Sequence, residues 1–118
     1  MASGRNMKFG AFVRQEREAK EIGLREMAKM VGVSPTYISK VERDEFQPPA
    51  EDKVIAIARI LGRDQDELLA LAGKVSSDLT ELIREHPRQL AALLRTTKGM
   101  TADDVARLAR EAEKPKDK

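Results

Sequence analysis

The chain contains no cysteine and no tryptophan, a single histidine, one tyrosine and three phenylalanines. Without cysteine there is no disulfide, no thiolate metal ligand, no thiol nucleophile and no thiol-based redox sensing, a composition that fits a reducing cytoplasm. The lone histidine, His86, stands before Pro87 at a helix start, where capping or plain exposure accounts for it, and it leaves no second imidazole for a metal site. No HExxH motif and no phosphate-cradling glycine loop occurs. The carboxylate pairs Glu51/Asp52 and Asp103/Asp104 fall in first helical turns, where the helix dipole favours negative charge, and read as structural. No enzyme activity, cofactor or metal is therefore expected. The chain also lacks any run of about 18 uncharged apolar residues, so nothing in it is expected to span a membrane, and its first residues lack the apolar core of a signal peptide.

What is present points to helices. The 118 residues suit one domain, or one small domain with an appendage. Apolar residues make up 41% and charged residues 36%, with aromatics at only 3%, so an all-α protein built on aliphatic packing is expected. Twenty-two basic groups stand against twenty acidic ones, a net charge of +2 with a pI near 9.0. That excess is small. A case for an anionic partner must rest on where the charges sit.

The placement is clearest over residues 28–43. A helix from Leu24 to about Val31 packs through Met27, Ala28 and Val31, Gly32 and Val33 follow, and Ser34 and Pro35 open the next helix: serine caps free amides and proline suits the first helical position. The second helix, residues 35–43, has two faces. Ile38 and Val41 lie on one side with Glu42 a turn past Ile38, while Thr36, Lys40 and Arg43 follow the opposite stripe. Thr36, Tyr37, Ser39, Lys40 and Arg43 supply hydroxyl and cationic donors without a carboxylate, which is what a surface facing phosphates and base edges requires. This is read as a recognition helix for double-stranded DNA.

These residues resemble the Cro and phage-repressor-like helix-turn-helix regulators, the xenobiotic-response-element family. The match is carried by Met27, Ala28, Gly32, Val33, Ser34, Ile38, Ser39, Val41 and Glu42, then by Pro48, Pro49, Ala58, Leu61, Gly62 and Leu68, over about residues 9–73. The resemblance implies a five-helix lambda-repressor-like DNA-binding domain. Three positions depart from the family pattern. Gly23 replaces the usual serine or threonine cap, Leu24 replaces a glutamine that assists DNA contact in many relatives, and Asp44 replaces a glycine after the recognition helix while still tolerating a left-handed turn.

Along the rest of the chain, residues 1–7 read as a flexible N-terminal arm, a solvated tail in which Arg5, with Lys8 just beyond it, could touch a DNA backbone. A helix over residues 8–20 packs through Phe9, Phe12 and Val13, and Arg17 extends that row, so its guanidinium requires a partner. Glu42 is the candidate, and the resemblance implies the same pairing. Gln47 is placed to approach the DNA backbone, and Phe46, beside two prolines, is expected to plug the core. Residues 51–61 form a fourth helix stopped by Gly62, and Asp64 with Glu67 boxes a fifth that ends at Gly73. Met27, Met30 and Met100 are read as gap-filling core residues.

Beyond the domain at residues 8–73, residues 74–113 read as a C-terminal helical extension ending in a charged tail, 114–118. Ser77 is expected to cap a helix bearing Leu79, Leu82 and Ile83; Pro87 opens one with Leu90, Leu93 and Leu94; Thr101 and Asp104 box one with Val105 and Leu108. Short amphipathic helices cannot stand alone in water, so these stripes are expected to pair two copies, because helix-turn-helix readers commonly bind two half-sites related by two-fold symmetry. The expected function is a homodimeric, sequence-specific transcription regulator in which Thr36, Tyr37 and Lys40 face bases while Ser34, Pro35, Ser39 and Arg43 line the helix start and groove edge. The resemblance adds repression of its own or a neighbouring phage, defence or stress operon in bacteria or phage, relieved by a partner such as a zinc metallopeptidase. Two alternatives stay open: an antitoxin whose C-terminal helices cover a toxin, and a protein-binding adaptor that uses the fold without touching bases.

Overall fold

The computed structural model describes residues 7–114. Of the arm expected at residues 1–7 and the tail expected at 114–118, residues 1–6 and 115–118 lie outside the described residues, while Met7 packs, half-buried, against the core. The described residues form eight helices and no strand: α1 (Phe9–Ala19), α2 (Leu24–Val31), α3 (Pro35–Glu42), α4 (Glu51–Leu61), α5 (Gln65–Leu71), α6 (Ser77–Glu85), α7 (Pro87–Thr96) and α8 (Ala102–Glu113). The fold is all-α, a five-helix domain followed by a helical extension. Two compact units divide between Ser77 and Asp78.

In the first unit the apolar stripes of α1 to α5 meet in one core. Phe9, Phe12 and Val13 of α1, Met27, Ala28 and Val31 of α2, Ile38 and Val41 of α3, Val54, Ile57, Ala58 and Leu61 of α4, and Leu68 and Leu69 of α5 are all buried. Helix α1 packs on α3 and α4, α2 on α3 and α4, and α4 on α5. Met30, one residue off the stripe of Met27, Ala28 and Val31, faces solvent instead of filling the core. The C-terminus of α2 is closed twice. Gly32 takes φ +89°, a left-handed conformation that its missing Cβ makes cheap, and its N–H donates to the Ala28 carbonyl at 2.8 Å. Lys53 Nζ donates to the Val31 carbonyl at 3.3 Å, placing a cation at the negative end of the helix.

The angle of α3 is set by two contacts with α1. The first is a close approach. A Cβ added to Gly10 would run into the backbone carbonyls of Val41 and Glu42, with the Glu42 oxygen at 2.8 Å, so only glycine lets the helices pack this tightly. The second is an ion pair. Arg17 and Glu42 are 9% and 7% exposed; Arg17 Nε donates to Glu42 Oε2 at 2.7 Å and Nη2 donates to Oε1 at 3.0 Å. The third nitrogen of the fork, Nη1, donates to the Ile22 carbonyl at 2.8 Å, so the guanidinium ties α1, α3 and the α1–α2 turn together. The Glu42 hydrogen bonds raise the Arg17 pKa above its ordinary value against the opposing cost of burial. A raised cationic pKa contributes stability that is lost only as pH climbs through it, so this arginine stays charged throughout the ordinary pH range.

In the second unit no residue of α7 or α8 is buried. Leu79, Leu82, Leu93, Leu94, Val105 and Leu108 are exposed, Leu94 by 55%, and Ile83 and Leu90 are half-buried. Met100 is exposed rather than internal, beside a cleft of about 340 Å³ lined by Asp104, Arg107, Leu108 and Glu111. The Thr101 box is complete: Thr101 Oγ1 accepts from the Asp104 N–H at 3.0 Å, and Asp104 accepts from the Thr101 N–H at 3.2 Å. Pro87 opens α7 at its first turn. Ser77 does not cap α6. The helix starts at Ser77 itself, and both its N–H and its hydroxyl donate to Glu51 Oε2, at 3.2 and 3.3 Å.

Two stability measurements follow from the α1–α3 contact. Gly10→Ala forces the helices apart and is expected to lower stability by about 3 kcal/mol or more, the upper end of the range for overpacking, as read from a urea denaturation midpoint. Glu42→Ala strands the Arg17 guanidinium in the interior and is expected to cost about 3–5 kcal/mol. A loss below about 1 kcal/mol in the same titration would show that the pair does not hold the two helices.

Candidate nucleic-acid interface

Helix α3 begins where Ser34, in an extended conformation, turns its Oγ back to accept the Tyr37 N–H at 3.0 Å, with Pro35 in the first turn. At about 100° of rotation per residue, burying Ile38, Val41 and Glu42 leaves Thr36, Ser39, Lys40 and Arg43 on the far side. Thr36 and Arg43 are exposed; Ser39 and Lys40 are half-buried along the flanks. The helix ends at Glu42 with Arg43 as its C-cap, and Asp44 follows with φ +64°, a left-handed conformation that aspartate tolerates better than most residues.

The structure divides the expected site residues into two groups. Pro35, Thr36, Ser39 and Arg43 share an open cleft of about 550 Å³ with Gly23, Leu24, Arg25 and Glu26 from the start of α2. Two helix N-termini therefore border one concave surface, and backbone N–H groups at such ends favour anions. Gly23 is extended at the head of α2, and its N–H donates to Glu26 Oε1 at 3.4 Å. Leu24 is half-buried, its side chain packed against the core.

The second group surrounds the α3–α4 loop. Tyr37 is half-buried against the core, and its ring lies 5.8 Å from that of Phe46. The Lys40 ammonium sits 5.5 Å over the Phe46 ring and 3.8 Å from Glu45 Oε1; its side chain is 38% exposed. Phe46 is not the core plug expected from its neighbouring prolines. It is 45% exposed, and Pro49 is the buried residue at this corner. Gln47 is exposed in the loop. Asp44 Oδ2 pairs with Lys8 Nζ at 3.0 Å, and Glu45 Oε2 with Arg43 Nε at 3.3 Å, so this end of the surface carries acid as well as base.

Three residues of this surface, Arg25, Glu26 and Glu45, escaped the sequence reading, and a fourth, Phe46, was placed in the core. Arg25 and Glu26 enter the cleft because the first turn of α2 lies beside α3, an adjacency that periodicity along a single helix does not reveal. Glu45 and Phe46 lie beyond the end of α3, in a loop that folds back along it: the N–H groups of Glu45 and Phe46 both donate to the Lys40 carbonyl, at 2.9 and 3.3 Å. The only available signal was the Asp44 turn, which returns the chain toward the helix. Among the described residues, no group of three His, Asp or Glu side chains is placed to hold a metal ion, and no helix is long and apolar enough to cross a membrane.

The helix-turn-helix domain family matches residues 8–71. An uncharacterised HTH-type transcriptional regulator of Mycobacterium tuberculosis is 33% identical over 76 residues, which are 64% of this chain and 54% of that protein, so the chain spans about half the length of this curated relative. Among solved structures, the complex of SinR with SinI aligns with a TM-score of 0.50 at 21% identity, covering 89% of this chain and 94% of that one, a likeness of fold. SinR, the master regulator for biofilm formation, in complex with DNA aligns at 0.48 with 28% identity over 52% of this chain and 97% of that one. The family match takes in all five helices of the first unit and more than half of the sequence, and the protein belongs to this helix-turn-helix domain family.

Proposed function

We propose that the protein is a sequence-specific DNA-binding transcription regulator that acts as a homodimeric repressor of its own or a neighbouring operon. The observation that carries this reading is the outer stripe of α3, polar and cationic, on a helix whose inner face is fixed by a buried ion pair and a backbone contact. In a major groove, Thr36, Lys40 and the edge of Tyr37 face bases, while Ser34, Ser39 and Arg43 face phosphates and Gln47 approaches the backbone from the loop. The α2 and α3 N-termini around the cleft add backbone donors for phosphate oxygens.

The exposed leucines of α6 to α8 support self-association, because helices this short and this apolar on one side gain stability only by covering that side. Pairing two copies sets two half-sites about one helical turn apart, roughly 34–36 Å. A partner that severed the head from these helices, such as a metallopeptidase, would relieve repression by removing bivalency. A toxin seated on the same leucines is the rival occupant. Co-purification of a monomer with a small second protein, in place of a dimer, would favour it.

The decisive experiment combines footprinting on the DNA upstream of the gene with sizing of the free protein. Two protected half-sites and a dimer are expected; salt-independent binding with no preferred sequence would sink the reading. Lys40→Ala is expected to weaken operator binding by about 1–3 kcal/mol and to flatten preference at one base position, as measured by anisotropy titration against single-base operator variants.

A further inference from the structure

Building on that reading, we propose that Glu45 is a built-in counter-ion of the reading surface, which lowers the affinity of the domain for duplex of any sequence and so leaves discrimination to base-edge contacts. Its two carboxylate oxygens address different cations of the same stripe: Oε1 lies 3.8 Å from Lys40 Nζ and Oε2 lies 3.3 Å from Arg43 Nε. No packing requirement explains the side chain, which is 49% exposed. Its backbone is nonetheless fixed. Asp44 turns the chain back in a left-handed conformation, and the N–H groups of residues 45 and 46 both donate to the Lys40 carbonyl. The neighbouring Asp44 carboxylate faces Lys8 at 3.0 Å, so Glu45 is the acid directed at the two α3 cations.

Exposed ion pairs hold weakly, and a phosphate displaces them. The charge itself does not leave. A carboxylate tethered to the same turn stays within a Debye length, about 8–10 Å, of any phosphate held by Lys40 or Arg43, and it subtracts from the attraction of both. Phosphate attraction is the sequence-independent part of duplex binding, whereas hydrogen bonds from Thr36 or Lys40 to base edges carry the sequence-dependent part. An acid at this point weakens the first more than the second.

The test uses the full chain as wild type, Glu45→Gln and Glu81→Gln. Glu81 is an exposed acid of α6, in the second unit, paired with Arg84, so its substitution makes the same change in net charge without removing a partner of Lys40 or Arg43. Each protein is titrated by fluorescence anisotropy into a random-sequence duplex of about 20 base pairs across about 50–200 mM salt, with melting midpoints confirming that all three are folded. E45Q is expected to bind about three- to ten-fold more tightly than wild type at the low-salt end, with a salt slope steeper by about one, while E81Q stays near wild type. Equal or weaker binding by E45Q, or an equal gain in E81Q, overturns the proposal while leaving DNA reading intact. Absence of salt-dependent binding in all three proteins overturns the DNA-reading function, and the counter-ion role falls with it.

Discussion

The orientation of the outer face of α3 depends on the Arg17–Glu42 pair. Two hydrogen bonds of 2.7 and 3.0 Å and a third to the Ile22 carbonyl join three segments through one planar guanidinium. Such a pair adds little net stability, because removing two charges from water costs about as much as their attraction returns. What it supplies is geometry. A hydrocarbon contact tolerates sliding, but a bidentate fork loses both hydrogen bonds after a small rotation, so α3 has one orientation relative to α1. Gly10 reinforces this by bringing the α1 backbone against the carbonyls at the end of α3.

The first unit was largely legible in the sequence. Its helices are specified by local signals that act over four residues: Ser34 before Pro35, Gly32 at a left-handed turn, Asp64 accepting the Glu67 N–H, and Gly62 in the left-handed turn after α4. The pairing of Arg17 with Glu42 could be anticipated because each extends an apolar row by one turn and neither can be buried alone. Readings that relied on residue type without a period fared worse. Phe46 was assigned inward for being aromatic and Met30 and Met100 for being flexible and apolar, yet none lies on a stripe that meets the core. Residues contributed by a neighbouring element, Arg25 and Glu26 from α2 and Glu45 from the returning loop, depend on how helices cross, and a linear pattern does not contain that information.

The surface that results is mixed in charge, in keeping with a chain whose basic and acidic groups nearly balance. Lys8, Lys40 and Arg43 are each matched by an acid of the 44–45 turn. Phe46 gives Lys40 a further contact through its ring face, which restrains an otherwise flexible side chain. On the proposed reading, a cation restrained in this way loses less freedom on meeting a base edge than a free lysine would. The surface is thus closer to a template for particular contacts than to a generally attractive patch.

The glycine at position 10 also bears on how such a protein can change. Where two helices meet through intervening side chains, substitutions at the seam tilt one against the other, and altered function comes entangled with altered shape. Here main chain rests on main chain at Gly10 and a bidentate ion pair closes the other contact, so the seam tolerates little variation, and the exposed residues of α3 point away from it. On the proposed reading, new targets can therefore be acquired by rewriting the outward-facing Thr36 and Lys40, with the scaffold beneath them left undisturbed.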